Sequence, residues 1–117
     1  MGSIVFYRDG RGKYPPVEFI KEFPVLEQAT FRNALRLLQE FGTNLSIPPA
    51  KSIRGKLWEL RPGGIRLFYF ACIEQQFVIL HGYRKQSQKA PDREIAQRRM
   101  DKLMKEVYYG PKRYDPI

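Results

Sequence analysis

The chain is poor in the side chains that most often carry covalent or metal chemistry. It has one cysteine, Cys72, and one histidine, His81, so an internal disulfide framework and the usual Cys/His zinc patterns are excluded. No metal site is expected. Long apolar runs are missing too: Ile65 to Ile73 is interrupted by Arg66 and falls far short of the roughly 20 residues a membrane span needs. The opening residues, Met1 to Arg8, lack the charged, apolar and small regions of a secretion signal, so the expectation is a cytoplasmic protein with no membrane partner. Negative charge is also scarce. Against 21 Lys and Arg stand 12 Asp and Glu, a net charge of +9 and an isoelectric point near 9.9. Such a surface attracts phosphate backbones or an acidic protein before any specific contact forms.

What the chain does have is material for a core. Of its 117 residues 43% are hydrophobic and 14% aromatic, which argues against disorder and for one globular domain over 1–117. Ile4-Val5-Phe6-Tyr7 reads as an opening strand before the turn residues Asp9-Gly10-Arg11-Gly12. After Pro15-Pro16, the spacing of Phe19, Ile20 and Phe23 predicts a short helix that ends at Pro24. Phe31, Ala34, Leu35, Leu38 and Phe41 trace one face of a longer helix over Val25 to Phe41, with Gly42 as its stop. Thr43 to Ile53, with Pro48-Pro49, reads as a loop that delivers Lys51, Arg54 and Lys56 to the next strand. Three strands in a meander follow, near 57–61, 66–72 and 77–83. A last helix opens at Pro91-Asp92-Arg93-Glu94 and buries Ala96, Met100, Leu103 and Val107. The basic tail over 108–117 reads as irregular. The order β-α-α-β-β-β-α gives an α+β fold, a mostly antiparallel twisted sheet with helices packed on one face and the other face free.

The hairpin turns set the register. With Gly63-Gly64 central in the first turn, both at positive φ, Leu60 pairs with Leu67 and Trp58 with Tyr69 on one face. Glu59 then pairs with Phe68 and Arg61 with Arg66 on the other. With Glu74-Gln75 central in the second turn, Arg66 faces Tyr83, Phe68 faces His81 and Phe70 faces Ile79. Two arginines directly opposite each other repel, so an anion is expected between them, although Glu59 can pair with one. Arg84, Lys85 and Lys89 leave the same end of the sheet, and with Lys51, Arg54, Lys56 and nearby aromatics they describe a groove suited to a phosphodiester backbone. Loop lysines and arginines are often only solvated surface. His81 suits either a satisfied core position or general acid/base work, and Tyr83 suits either packing or chemistry.

Leu57-Trp58-Glu59-Leu60-Arg61, then Ile65-Arg66-Leu67-Phe68-Tyr69-Phe70, then Val78-Ile79-Leu80-His81-Gly82-Tyr83-Arg84-Lys85-Gln86-Ser87-Gln88-Lys89-Ala90-Pro91 resembles the HigB-like, phage-derived branch of the RelE/ParE toxin superfamily. The resemblance implies a RelE-like fold and the toxin of a bacterial type II toxin–antitoxin pair. It further implies an endonuclease that cuts mRNA, commonly on the ribosome, with no metal or other cofactor. The ribose 2′-OH would attack the adjacent phosphate, leaving a 2′,3′-cyclic phosphate and a 5′-OH. Carried over by position, Arg61 and Arg66 would hold the scissile phosphate and stabilise its transition-state charge. Lys85 and Lys89 would neutralise charge or protonate the leaving oxygen, Lys51 and Lys56 match a basic region before the strands, and His81 or Tyr83 is left as the base. Tyr83 stands where the branch often has Phe, and Arg84-Lys85 replaces a Lys-Lys pattern. Arg54, Arg84 and Tyr83 join the RNA-binding set. The implied partner is a HigA-like antitoxin with a helix-turn-helix domain, through which alone operator DNA would be bound. Competing readings are a ParE-like gyrase inhibitor and a noncatalytic nucleic-acid-binding module.

Overall fold

A computed structural model describes residues 2–42, 50–72, 76–86 and 89–109, with backbone alone at 89 and 107–109. Its elements are β1 (Ser3–Phe6), α1 (Pro15–Lys21), α2 (Val25–Phe41), β2 (Ala50–Arg54), β3 (Leu57–Leu60), β4 (Ile65–Ala71), β5 (Gln76–Arg84) and α3 (Lys89–Tyr109). The sheet runs β1-β5-β4-β3-β2. β1 lies parallel to β5 and every other pair is antiparallel, so the α+β class holds. Among the described residues no helix is long and apolar enough to cross a membrane.

Two expectations are corrected. The stretch read as a loop to Ile53 ends in β2, an edge strand that adds a fifth strand to the sheet; the loop's residues 43–49 lie outside the described residues. Only Ala50 is buried and Ile53 half-buried in β2, since an edge strand has one neighbour and tolerates polar residues and lysine. That is why alternation was too weak to mark it. The second correction concerns the helices, which do not share a face. Ile20 and Phe23 from the α1 region and Phe31 and Leu38 from α2 pack on Leu60, Leu67, Tyr69 and Ile79. Ala96, Met100 and Leu103 of α3 pack on Leu57, Phe68, Phe70, Val78 and Leu80 from the other side. β4 and β5 are apolar on both faces over most of their length, and a strand of that kind has to be covered twice.

The long helix matches its predicted span. Phe31, Ala34 and Leu38 are buried, and Gly42 at φ 56 closes it, although Phe41 is 48% exposed rather than core. α3 starts two residues before Pro91 and continues through Tyr109, so the start of the tail is helical; 110–117 and the Val107 side chain lie outside the described residues. α1 is held against the sheet at Gly82. A Cβ there would sit 2.4 Å from the Phe19 ring and 2.9 Å from Leu67, so only glycine lets the aromatic close on β5.

The first hairpin has the predicted register: Trp58 with Tyr69, Glu59 with Phe68, Leu60 with Leu67. Of its two glycines only Gly63 has a positive φ, 64°, at the position where a II′ turn needs one. β3 ends at Leu60, so Arg61 follows the strand instead of pairing within it. In the second hairpin Arg66 pairs with Tyr83 and Phe68 with His81 as predicted, but Phe70 pairs with Val78, not Ile79. Two departures cancel here. Pairing at the turn end is one residue off, Ala71 with Phe77, and a bulge at Leu80 takes up the difference.

Candidate nucleic-acid interface

The bulge decides which side chains meet. Without it, the pairing set by the turn would move His81 and Tyr83 to the α1/α2 face. With it, His81 and Leu80 both face α3. Leu80 has no register partner in β4, and its carbonyl accepts a 2.7 Å bond from Arg99 Nη1 of α3. One transverse row then runs Lys51, Glu59, Phe68, His81 across β2, β3, β4 and β5. The next row on that face holds Arg66 beside Tyr83, with Arg61 just beyond β3.

Glu59 is the buried centre of this corner, 1% exposed. Its Oε2 accepts the Tyr83 hydroxyl and its Oε1 accepts Arg61 Nε at 3.3 Å. Tyr83 stacks on Phe68 with ring centroids 5.3 Å apart. Burial, and then the bond to Glu59, push its hydroxyl far above the ordinary tyrosine range, so it holds its proton in the folded protein. Arg61 is pinned by its inner nitrogen, which leaves its outer fork unpartnered among the described residues. Arg66 is pinned through Nη1 to the carbonyls of Gly63 (3.0 Å) and Ile65 (2.8 Å). Two guanidinium groups held by protein on one side and open on the other form a donor set that matches a phosphate.

His81 is tied to α3, its Nε2 lying 2.7 Å from Asp92 Oδ1. Burial lowers its pKa below 6.5, against the opposing pull of Asp92, so the ring is neutral at neutral pH. Lys85 is exposed at the end of β5, where its backbone N–H donates to the Gly64 carbonyl at 2.9 Å. It stands at the same end of the sheet as the two arginines. Lys51 is exposed in the row of Glu59.

Other candidates lie elsewhere. Arg84 pairs with Ile65 and places its guanidinium 4.3 Å above the Phe23 ring, on the α1/α2 face. Lys56 lines a pocket of about 260 Å³ with Trp58, Tyr69 and Phe77, on that same face. Trp58 therefore does not border the cationic corner. Arg54 faces α3, 3.5 Å from Gln97 Oε1, at the opposite end of β3 from Arg61. The Lys89 side chain lies outside the described residues. Two carboxylates, Glu59 and Asp92, matter more at this corner than their sequence context suggests. Glu59 was visible only as the one nearby opposite charge, and Asp92 only as part of a helix start. A signal for Glu59 was present: its predicted partner Phe68 lies in an apolar strand, so a carboxylate beside it has to be satisfied by the polar residues of that face. Among the described residues no cluster of His, Cys, Asp and Glu could hold a metal ion.

The fold matches a solved structure. One chain of the archaeal RelE–RelB complex from Pyrococcus horikoshii OT3 superposes with a TM-score of 0.59 at 13% identity, covering 74% of this chain and 98% of that one. The fold is thus RelE-like. No curated protein matches the sequence. The model of the family described as phage derived protein Gp49-like (DUF891) matches residues 18–101, which takes in the second half of α1, all of α2, strands β2 to β5 and most of α3. On that match the chain belongs to the phage-derived Gp49-like family.

Proposed function

We propose that this protein is the toxin of a type II toxin–antitoxin pair, in the HigB-like branch of the RelE/ParE superfamily, and that it acts as a metal-independent RNA endonuclease on ribosome-associated mRNA. The observation that carries the reading is the pair of pinned guanidinium groups, Arg61 and Arg66, at one open corner of a RelE-like sheet. Glu59 of β3 holds Arg61 and the carbonyls of the β3–β4 turn hold Arg66, so little reorganisation is needed as charge builds on a phosphate between them. Arg66 and Arg61 stabilise that charge, Lys85 at the same end neutralises or protonates the leaving oxygen, and Lys51 extends the backbone contact. Lys89 and Arg54 are peripheral RNA contacts in this scheme, and Arg84 and Lys56 reach RNA only if it passes round the sheet edge.

The archaeal neighbour was solved with its RelB partner. By the same charge logic, the +9 surface of this chain calls for an acidic segment of a HigA-like, helix-turn-helix antitoxin to cover the corner. Operator DNA is then bound through the antitoxin. The test is induction of the wild-type and Arg66→Ala chains in cells, with cleavage mapped by primer extension on a translated reporter and on the same message without its start codon. Cuts confined to the translated message and absent from Arg66→Ala are the expected result. Growth arrest without cuts would move the target to a protein such as gyrase.

A further inference from the structure

The corner described above contains a second hydrogen-bonded pair that the phosphate-binding argument does not use. We propose that Asp92 and His81 form a dyad in which Asp92 is a positioning residue and His81 Nδ1 is the general base; this rests on the ribonuclease reading. Three observations support it. His81 Nε2 lies 2.7 Å from Asp92 Oδ1, and the two side chains are only 17% and 19% exposed. With Nε2–H donated to the carboxylate, the imidazole is fixed as the tautomer whose lone pair is on Nδ1. Nδ1 has no partner among the described residues, and the only buried, unpartnered side-chain polar atom among them is Gln76 Oε1. Nδ1 therefore reaches solvent.

Position agrees with that role. His81 and Arg66 are diagonal neighbours on one face, because His81 pairs with Phe68 and Arg66 with Tyr83. Diagonal residues are separated by roughly 7 to 8 Å, which a ribose and its 3′-phosphate can bridge. Among the described residues, the charged groups facing His81 are Asp92 and Arg99 from α3, with Glu59 further along its row on β3. Burial keeps the ring neutral near pH 7, the state a base needs. In the step, the ribose 2′-O–H bond breaks and its proton passes to Nδ1. The 2′-oxygen bonds to phosphorus while the P–O5′ bond breaks, and O5′ takes a proton from Lys85, which regains it from solvent. His81 then returns its proton to solvent.

Because His81 is the only histidine in the chain, ¹⁵N-detected NMR of the wild-type protein reports on it without ambiguity. The expected result is the Nε2–H tautomer, with a pKa that falls further in Asp92→Asn because the pairing carboxylate is gone. An Nδ1–H tautomer, or a titration that Asp92→Asn leaves unmoved, overturns the dyad whatever the activity. In a reconstituted translation reaction, His81→Ala should slow cleavage of the programmed message by about 100-fold or more. Asp92→Asn should account for most of that loss, and the double variant should be no slower than His81→Ala, with thermal midpoints recorded for all three. Cleavage that is indifferent to Asp92→Asn overturns the dyad alone. A wild-type chain that cuts no message overturns the base role together with the ribonuclease reading.

Discussion

Both faces of the sheet bury side chains, but by different means. Against α1 and α2 the contacts are aromatic and aliphatic: Phe19 meets Phe23 edge-on at 5.2 Å and Phe23 meets Phe31 at 5.1 Å, and Leu38, Leu60 and Leu67 are fully buried. Against α3 the apolar contacts stop short of one corner, which holds Glu59, Arg61, Arg66, Tyr83 and His81. A carboxylate that is 1% exposed gains little stability over a hydrocarbon of the same size, because desolvation offsets most of the attraction to its partners. The first face is what a fold needs to be stable; the second accepts a buried charge, which fits a site held in one geometry for chemistry.

That contrast is broken most directly by exchanging the effects. Arg66→Ala should lower the cleavage rate by about 100- to 1000-fold, the scale of losing one preorganised donor to transition-state charge. Its thermal midpoint should barely move, since the side chain is half-buried and bonds only the carbonyls of its own turn. Gly82→Ala should do the reverse. The added methyl collides with Phe19 and with fully buried Leu67, an overpacking that costs about 1 to 3 kcal/mol in urea unfolding. Cleavage per folded molecule should stay near wild type. If Arg66→Ala unfolds the protein, or Gly82→Ala kills activity without loss of stability, the division between the faces is wrong.

Glu59 sharpens the comparison further. Glu59→Leu leaves the buried Tyr83 hydroxyl without an acceptor, an expected loss of about 1 to 3 kcal/mol. The double variant Glu59→Leu, Tyr83→Phe removes both polar ends and should recover most of that loss, because contacting residues do not add independently. Activity should not recover with it, since Arg61 has lost the carboxylate that pins its Nε. A denaturation series on the three variants, with cleavage measured in parallel, separates the structural from the positioning role.

Helix α2, the meander and the pairing of Arg66 with Tyr83 were legible in the sequence because each rests on a local signal: a helical stripe, a glycine turn, a two-residue alternation. β2 and the second covered face were not. Whether Ala50 to Arg54 pairs depends on the exposed edge of β3, which lies across a hairpin rather than within the segment. The apolar run Leu67 to Ala71 carried the clue to a sheet covered twice, but it cannot say which helix does the covering. At the site, the register of Tyr83 and His81 was right for an incomplete reason. The turn was shifted by one residue and the Leu80 bulge shifted it back, and a bulge leaves no mark in composition. Trp58, Arg84 and Lys56 were drawn into the groove by closeness in sequence, although strand alternation sends the first two to the other face and Lys56 follows Trp58 into its pocket.

The smallest expected effect is the pH dependence of stability, and it isolates His81. Burial disfavours the imidazolium more than Asp92 favours it, so the folded pKa lies below the value of 6.5 that the ring has when unfolded. The unfolded chain therefore takes up this proton first as pH falls. Stability from this group is complete above about pH 6.5 and is lost progressively down to the folded pKa, with the opposite trend expected of a histidine dominated by its carboxylate. Asp9, whose carboxylate is held at about 2 by the Lys13 and Arg11 backbone and side-chain donors, loses its contribution only below its unfolded value near 3.8, outside that window. With one histidine in the chain, thermal midpoints between pH 8 and 5 should fall on the acid side in the wild type and flatten in His81→Gln. A wild-type midpoint that rises on acidification would mean that Asp92 wins over burial, and that the ring is charged rather than neutral where the two faces differ most.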